Sequence, residues 1–459
     1  MTEIDEGSME AEMRTRIYNA RILTMEPGRE IFSGEIGIED VRIISVREEQ
    51  GKEKAQEEDG AGAVQEKGNQ KKQASSGWDE EIDARGNLVM PGFKNAHTHS
   101  PMTFLRSYAD DMKLQEWLFD KVFPAEAELK SDDIYWLTKL AVMEYLTSGI
   151  TSVFDMYKLK KDSARAAEET GFRMVFCGDM NDFGGTVEEM EKDYIEYNKN
   201  PDSLLSYQIG FHAEYTTNRE RMEQIAALAE KYKAPVCVHC SETKKEVEEC
   251  RERSGMSPVA YMDSLGLFQY GGCLFHGVHM DDSDFDIIRD RGISVVTNPA
   301  SNLKLASGIA PVRRYLDLGI PVAIGTDGPA SNNCLDMFRE MFLVTGLQKV
   351  LCDDPEAVPA MDVLKMAAVN GAHAMGLDDC DVLSCGKRAD LILIDLMQPN
   401  MQPLHNIEKN IVYSGSKQNV RMTMINGKVV YRDGEFFIGE SPETVYRNAQ
   451  RISERILGQ

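Results

Sequence analysis

Apolar and polar residues alternate along residues 15–47, in stretches such as RIYNARILTM and EIGIEDVRIISV. This period of two is typical of strands with one buried face. The stretch at 49–81 is instead charged, rich in glycine and glutamine, and almost free of bulky apolar residues. Such a composition buries too little surface to offset the entropy of ordering the chain. The pattern therefore predicts a mobile insertion within a hairpin.

From about residue 91 to 375, short apolar runs alternate with amphipathic stretches at 132–147, 219–233, 281–291 and 336–351. The eight predicted strands are NLVMPGF, ITSVFDM, FRMVFCG, YQIGFHAEY, PVCVHCSE, CLFHGVHM, ISVVTNPA and PVAIGTDG. Eight strands, each followed by a helix, indicate an α/β fold of the (β/α)8 TIM barrel type. An open doubly wound sheet is the alternative, but no GxGxxG motif follows any of these strands.

Strand patterns return after residue 375, in ADLILIDL and VRMTMINGKVVYRDGEFF, and a helical pattern follows near 442–457. The simplest arrangement pairs these late strands with those near the start of the chain. We therefore predict a composite small β domain from both chain ends, formed by 1–90 and 376–440. A catalytic barrel at 91–375 and a C-terminal helix at 441–459 complete the predicted organisation.

Composition and charge narrow the classes of function. Apolar residues make up 42% of the chain and charged residues 28%, which is ordinary for a soluble globular protein. No run approaches the ~20 apolar residues of a membrane span, and the acidic N-terminus lacks the apolar segment of a signal peptide. We therefore expect a cytoplasmic protein without membrane contact. The net charge of −25, with no stripe of lysine and arginine, argues against nucleic-acid binding.

The nine cysteines are scattered without a CxxC pair, which indicates reduced thiols in a chain without an export signal. Cys237 and Cys240 flank His239, so a thiolate metal ligand is an alternative. No partner cysteines have the spacing of a zinc ribbon, and structural thiols are the favoured interpretation.

Ionisable residues stand at the carboxyl ends of most predicted barrel strands, where barrel enzymes place their catalytic groups. Six of the eight histidines lie there, together with three carboxylates: His97, His99, His212, His239, His276, His279, Glu214, Glu242 and Asp327. Residues two apart on a strand share a face, so the HxH pair can bind one ion. The pair alone is a weak signal, but the gathering of polar groups at strand ends predicts a metal site.

A catalytic zinc ion takes three or four nitrogen and oxygen ligands and keeps one position for water. His97, His99, His239 and Asp327 provide such a set. Some barrel hydrolases bridge two metals with a carbamylated lysine at the end of strand four, but YQIGFHAEY contains no lysine. We therefore predict one divalent metal ion per subunit, with zinc the usual choice for imidazole and carboxylate ligands.

The sequence resembles the amidohydrolase superfamily and, within it, the 5-methylthioadenosine/S-adenosylhomocysteine deaminase family. The resemblance covers about 84–435 and rests on VMPGFKNAHTHSPMTFLR, LQEWLFDKVFPAE, GFHAEYT, VCVHCSET, TNPASNLKLASGIAPV and GTDGPASNN. It implies that the metal ligands are His97, His99, His239 and Asp327. It also implies a homo-oligomer and a small-molecule nucleoside substrate.

The same resemblance assigns further roles. Glu242 would protonate the purine ring nitrogen, and His276 would orient the attacking hydroxide; His279 has the weaker claim to a role and is interpreted as a loop histidine. The implied substrate contacts, besides Glu242 and Asp327, are Glu126 on the ribose hydroxyls, His212 on the nucleoside and Trp117 on the sugar or its thioether. A core aromatic is the alternative for Trp117.

The predicted reaction is hydrolytic deamination of an adenosine-type nucleoside. A metal ion lowers the pKa of bound water toward ~7, which makes hydroxide available to attack the carbon that bears the amino group. Asp327 can take the proton of that water while Glu242 protonates the ring nitrogen, and ammonia leaves.

One departure from the family pattern concerns the substrate. Family members that accept S-adenosylhomocysteine hold its carboxylate with arginines, but no arginine occurs between Arg173 and Arg219. Because a desolvated carboxylate without a cationic partner is costly, we predict that 5-methylthioadenosine or adenosine is preferred. A neighbouring subunit, or a lysine of the run Lys158, Lys160 and Lys161, would be the alternative source of charge.

Two other functions remain open at this point. The same site would suit displacement on another nitrogen heterocycle, such as a triazine or a free base, although Glu126 and His212 favour a sugar-bearing substrate. A non-catalytic barrel used as a scaffold is the other alternative. Such proteins typically lose metal ligands, whereas this chain keeps all four candidates.

Overall fold

Both ends of the chain contribute to one mixed sheet in the computed structural model, which describes residues 13–49 and 77–458. Antiparallel pairing of β5 with β14 joins the two parts. The predicted sheet from both chain ends is thus confirmed. Its strands are β1 (Arg14–Ile22), β2 (Phe32–Glu39), β3 (Arg42–Glu48), β4 (Glu80–Asp83), β5 (Leu88–Pro91), β14 (Leu391–Ile394), β15 (Val420–Ile425), β16 (Lys428–Arg432) and β17 (Glu435–Phe436).

Eight parallel strands form the second sheet, in the order β13-β12-β11-β10-β9-β8-β7-β6, and curl into a nearly closed barrel. The TIM barrel prediction is confirmed. The strands are β6 (Phe93–Thr98), β7 (Ile150–Met156), β8 (Arg173–Cys177), β9 (Leu205–Ala213), β10 (Val236–Cys240), β11 (Gly272–His276), β12 (Ile293–Thr297) and β13 (Val322–Ile324).

The first barrel strand differs from the prediction. NLVMPGF was expected to be that strand, but residues Leu88–Pro91 pair with β1 and β14 in the mixed sheet. The barrel begins instead at Phe93, and all six residues of β6 are buried. An apolar run predicts burial but does not show which of two adjacent sheets buries it.

Helices cover the barrel, and the four amphipathic stretches predicted as helices form α3, α6, α9 and α12. The helices are α1 (Leu114–Trp117), α2 (Phe123–Ala127), α3 (Ser131–Thr147), α4 (Lys160–Thr170), α5 (Val187–Asn198), α6 (Arg219–Tyr232), α7 (Lys244–Ser254), α8 (Pro258–Ser264), α9 (Asp282–Arg291), α10 (Pro299–Lys304), α11 (Val312–Asp317), α12 (Met337–Cys352), α13 (Ala360–Lys365), α14 (Gly371–Ala374), α15 (Ile407–Tyr413) and α16 (Pro442–Leu457). No helix within the described residues is both long and apolar enough to cross a bilayer.

Most of the predicted insertion falls outside the residues that the structure describes. Of the insertion predicted at 49–81, residues 50–76 lie outside the described residues, and β4 already begins at Glu80. The division into a β domain, a barrel and a terminal helix stays a prediction.

All nine cysteines are free thiols, and the Sγ of Cys237 donates to Oε1 of Gln208 at 3.2 Å.

Hydrogen bonds near β6 close the barrel and bring its first and last strands together. The amide of Asp327 donates to the carbonyl of His97 at 3.0 Å. Asn95 and Thr326 are joined twice, through Nδ2 to Oγ1 at 2.7 Å and from the Thr326 amide to Oδ1 at 2.8 Å. This closure places the loop after β13 directly beside the histidines of β6.

Candidate active site

The four predicted metal ligands meet at the carboxyl end of the barrel. Nε2 of His97 lies 3.0 Å from Nε2 of His239. Oδ1 of Asp327 lies 3.2 Å from Nε2 of His99 and 3.6 Å from Nε2 of His97. Ligands around a tetrahedral zinc ion with bonds of 2.0–2.1 Å lie about 3.3 Å apart. The spacing of these four donor atoms therefore suits one metal ion.

Hydrogen bonds at Nδ1 of His99 and of His239 turn the Nε2 atoms of these histidines toward the centre of the ligand cluster. Nδ1 of His99 donates to the carbonyl of Met156 at 2.6 Å, and Nδ1 of His239 donates to the carbonyl of His212 at 2.6 Å. With the proton on Nδ1, each Nε2 keeps a lone pair for a metal, as in many metal sites. Nδ1 of His97 is buried without a partner among the described residues.

Asp327 gives the cluster a negative charge. Burial raises the pKa of Asp327, but hydrogen bonds with His97 and His99 outweigh this effect and hold it well below its ordinary value. Burial lowers the pKa of His97 to about 3, whereas Asp327 outweighs burial at His99 and raises its pKa to about 9. The buried carboxylate thus needs a positive partner, which is a proton on His99 or, in its place, a divalent metal bound by the cluster.

Serine hydroxyls and a backbone amide hold Asp327 in place. Its Oδ2 accepts hydrogen bonds from Ser301 at 2.5 Å and Ser331 at 2.9 Å, and its Oδ1 accepts the amide of Gly328 at 2.8 Å. Asp327 has a left-handed φ of 58°. Such strained residues concentrate at functional sites, where the surrounding contacts compensate for the strain.

His276 ends β11 with a left-handed φ of 75° and is buried. Its Nδ1 donates to Oδ1 of Asn302 at 2.7 Å, so Nε2 is free to accept a hydrogen bond. This nitrogen lies 3.9 Å from Oε2 of Glu242. His279 lies apart, with Nε2 donating to the carbonyl of Ser307 at 2.7 Å, which agrees with its interpretation as a loop histidine.

Glu242 is buried beside the ligand cluster. Its Oε1 accepts a hydrogen bond from Oγ of Ser307 at 3.2 Å. Burial is the main reason that the pKa of Glu242 is raised above its ordinary value. A raised pKa favours the protonated form of this carboxyl group, which can deliver its proton to a bound substrate.

A cavity of about 540 Å³ opens above the cluster. Its floor includes His99, His239 and Asp327, and Trp117, Phe119 and Phe123 form an apolar side wall. The wall also carries the predicted nucleoside contacts Glu126 and His212, and Glu242 and His276 face the same space. The barrel thus brings all residues with a predicted catalytic, substrate-binding or ligand role except His97 to the surface of one cavity, and His97 lies beneath it. Glu214 lies outside this lining and pairs with Arg253.

Glu126 is held by two residues that follow β7. The hydroxyl of Tyr157 donates to its Oε1 at 2.5 Å, and Nζ of Lys158 donates to its backbone carbonyl at 2.5 Å. Burial is the main reason that the pKa of Glu126 is raised. Burial also lowers the pKa of His212 to about 4, and Nδ1 of this neutral imidazole lies 2.9 Å from Oγ1 of Thr216.

Several residues that support the site are not predicted from the sequence: Ser301, Asn302, Ser307, Ser331 and Tyr157. Four of them lie in the polar runs TNPASNLKLASG and GTDGPASNN, directly after β12 and β13. A run of small polar residues after a barrel strand is the signal that points to them.

Comparison with known proteins places the chain in a family. The model of the amidohydrolase family matches residues 88–430. A 5-methylthioadenosine/S-adenosylhomocysteine deaminase of Desulforamulus reducens is 40% identical over 451 residues, covering 97% of this chain and 99% of that protein. A 5'-deoxyadenosine deaminase of Methanothermobacter thermautotrophicus is 40% identical over 365 residues, covering 78% and 85%.

A solved structure agrees with the sequence comparisons. An adenosine deaminase from Xanthomonas campestris with bound zinc matches with a TM-score of 0.87 at 29% identity, covering 97% of this chain and 99% of that chain. The shared barrel and the sequence matches along nearly the whole chain lead to one assignment. The chain belongs to the amidohydrolase family and, within it, to the 5-methylthioadenosine/S-adenosylhomocysteine deaminase family.

Proposed function

We propose that this protein is a metal-dependent hydrolase that deaminates adenosine-type nucleosides. The observation that carries the proposal is the presence, in one cavity, of a cluster for a cation, a protonatable Glu242 and the sugar-binding candidate Glu126. Relatives over most of the chain bear the names of nucleoside deaminases, which supports the same reaction.

His97, His99, His239 and Asp327 are proposed to hold one divalent metal ion, and zinc suits three imidazoles and a carboxylate. When bound, the metal lowers the pKa of water and so supplies a nucleophile at neutral pH. Strand β9 carries no lysine for a second, bridged metal. One ion per subunit is therefore our proposal.

The chain's own acids and bases are proposed to move the protons. Asp327 takes the proton of the attacking water, because its Oδ1, which also accepts the Gly328 amide, faces the cluster while two serines hold Oδ2. Glu242, with its raised pKa, protonates the purine ring nitrogen, so that the adjacent carbon can become tetrahedral. Water adds to that carbon, the bond to the amino nitrogen breaks, and a carboxylate returns a proton to the departing ammonia. His276 presents a free Nε2 that orients the water.

Sugar recognition is proposed to fall to the cavity wall. The carboxylate of Glu126, held by Tyr157, accepts hydrogen bonds from ribose hydroxyls. His212 contributes a second polar contact, and the indole of Trp117 packs on the sugar or its 5' substituent. These sugar contacts favour a nucleoside over a triazine or a free base. The intact set of polar groups also argues against a non-catalytic scaffold.

Neutral nucleosides such as 5-methylthioadenosine or adenosine are proposed to be preferred over S-adenosylhomocysteine. Among the described residues that line the active-site cavity, Lys158 is the one lysine or arginine. Its ammonium group already binds the carbonyl of Glu126. A substrate carboxylate would have to share this one ammonium with the Glu126 carbonyl, which gives it weaker pairing than dedicated arginines would. The homo-oligomer and the cytoplasmic location expected from the sequence stay predictions.

Ammonia release from zinc-loaded protein tests the proposed function. The panel contains 5-methylthioadenosine, adenosine, 5'-deoxyadenosine, S-adenosylhomocysteine, adenine and an aminotriazine. We expect deamination of the nucleosides, the lowest kcat/KM among them for S-adenosylhomocysteine, and no turnover of adenine or the triazine. Turnover of the triazine alone, or of none of the panel, would refute the proposal.

A matched pair of variants separates chemistry from stability. Glu242→Gln keeps the shape of the side chain but cannot donate the proton, so kcat should fall by roughly 100-fold or more. Glu248→Gln makes the same change on an exposed position of α7, where the side chain is 59% exposed. This control should retain wild-type kcat.

A further inference from the structure

A second cavity adjoins the active-site cavity. Its volume is about 480 Å³, and Lys158, Asp179 and Gly185 line both spaces. Lys158 also holds Glu126, the proposed ribose contact, through the Glu126 carbonyl. The two cavities therefore meet on the sugar side of the active site, away from the metal ligands on its floor.

An ion pair between Lys160 and Asp179 stands at this junction. The Lys160 side chain is 9% exposed, whereas that of Asp179 is 32% exposed. The ammonium group is thus largely buried, and the carboxylate faces the open space. Oδ1 of Asp179 accepts from Lys160, and Oδ2 accepts no hydrogen bond within the described part of the chain.

Four lysines and four carboxylates line the second cavity, and among the described residues Lys160 is the ammonium that pairs with Asp179, at Oδ1. Lys161 and Lys192 also line the cavity, but both are exposed, so that water and salt screen their charge. The remaining carboxylates that line it are Asp162, Glu189 and Asp193. At the junction a ligand therefore meets the partly buried carboxylate of Asp179, whose Oδ2 is free, and the ammonium of Lys158, which donates to the Glu126 carbonyl.

We propose, on the basis of the proposed function, that the second cavity takes the 5' substituent of the nucleoside and that Asp179 selects the charge of this substituent. With ribose hydroxyls on Glu126, a substituent on the 5' carbon reaches the junction beside Lys158. An amine there pairs with the free Oδ2 of Asp179. A carboxylate there meets a like charge, which is unfavourable in a partly desolvated site. Among nucleosides with a charged 5' substituent, the preferred class is a 5'-deoxyadenosine with an aminoalkylthio group at the 5' position.

Three substrates of matched length test the selection: 5'-deoxyadenosine bearing a butylthio, a 3-aminopropylthio or a 2-carboxyethylthio group at the 5' position. The measured quantity is the ratio of kcat/KM for the amine to that for the acid, taken on one preparation of zinc-loaded enzyme. We expect a wild-type ratio of about 10 or more. A ratio near 1, or one in favour of the acid, overturns the proposal.

Two variants change the junction in opposite directions. Asp179→Asn removes the carboxylate and leaves the Lys160 ammonium uncompensated, so the ratio should fall by about tenfold or more. Lys160→Met removes the ammonium and should raise the ratio, which keeps the test informative if one variant folds poorly. Asp132→Asn, at a side chain that is 87% exposed on α3, makes the same change in net charge. If Asp132→Asn shifts the ratio as much as Asp179→Asn, selection by Asp179 is refuted.

Binding measurements separate this inference from the proposed function. Calorimetry with Glu242→Gln gives the affinity for each of the three nucleosides without turnover. Tighter binding of the amine than of the acid, lost in the double variant with Asp179→Asn, supports selection even if no nucleoside is deaminated. Deamination of the butylthio compound with equal affinities for amine and acid supports the proposed function and refutes the selection.

Discussion

Nδ1 of His276 donates to Oδ1 of Asn302 at 2.7 Å, and both side chains are buried at the carboxyl end of the barrel. This bond holds an imidazole whose backbone has a left-handed φ of 75°. It also places the ring proton on Nδ1, which leaves Nε2 as the acceptor that faces the cavity. Asn302 therefore determines the orientation and the tautomer of the proposed catalytic histidine.

Asn302→Ala should lower kcat by about 10- to 100-fold with a smaller change in KM, because His276 loses its fixed orientation. Steady-state kinetics on the best nucleoside substrate measures this change. Asn410→Ala removes an amide that donates to the carbonyl of Met401 at 2.7 Å on α15, away from the cavity. Equal losses of kcat in both variants would show that Asn302 acts through stability alone.

Tyr157→Phe should weaken ribose binding, because Glu126 loses the hydrogen bond that orients its carboxylate. We expect KM for adenosine to rise by about tenfold, in line with loss of a hydrogen bond to a charged group. The effect should disappear with 2',3'-dideoxyadenosine, which lacks the hydroxyls that Glu126 would bind. Tyr135→Phe removes a similar hydroxyl that donates to Glu169 outside the cavity, and its KM should stay at the wild-type value.

Removal of the metal should abolish deamination and lower the melting temperature. Only the folded chain has the assembled ligand cluster. A free zinc concentration a thousand times the dissociation constant therefore stabilises the fold by about 4 kcal/mol. One equivalent of zinc should restore activity and melting temperature together. Chelated protein that keeps full activity would contradict this expectation.

His239→Ala should weaken zinc binding by roughly 100-fold or more, since it removes one of four ligands. Metal content after gel filtration and competition with a chromophoric chelator both measure this loss. His405→Ala changes an exposed histidine outside the cavity and should keep one zinc per subunit. Equal zinc contents in the two variants would exclude His239 as a ligand.

Glu340 makes stability depend on pH. It is buried on α12, and its carboxylate accepts hydrogen bonds from the Ala300 amide at 3.0 Å and Nδ2 of Asn332 at 2.8 Å. Burial raises the pKa of Glu340 from 4.5 to about 8. Between these values the folded chain keeps a proton that the unfolded chain has released, so the free energy of unfolding declines as pH rises through this window.

Glu340→Gln cannot titrate and should flatten that decline, by up to about 1.4 kcal/mol per pH unit within the window. Denaturant unfolding between pH 5 and pH 8 measures the slope. Part of the slope should remain, because burial also raises the pKa of Glu246 to about 8. Glu248→Gln, on an exposed position, serves as control and should keep the wild-type slope. An unchanged slope in Glu340→Gln would contradict the prediction.

Local patterns in the chain were enough to predict the barrel and the position of its site. Fully apolar runs such as ITSVFDM indicate buried parallel strands, and polar residues directly after them lie at one edge of the barrel because parallel strands end together. This geometry explains why His97, His239 and Asp327 were predictable as neighbours, although they are far apart in sequence. The strand before His97 was placed in the wrong sheet, since burial looks the same in both.

The hydrogen bonds that orient the proposed catalytic and substrate-binding residues depend on how the barrel closes. Asn302 reaches His276 across 26 positions of the chain, and Tyr157 reaches Glu126 across 31. Composition and periodicity predict the helix or strand to which a residue belongs and whether the residue is buried. They do not predict which side chain of another loop contacts that residue. Those pairings, and the junction at Asp179 between two cavities, exist because packing of eight strands and their loops sets distances that no local pattern encodes.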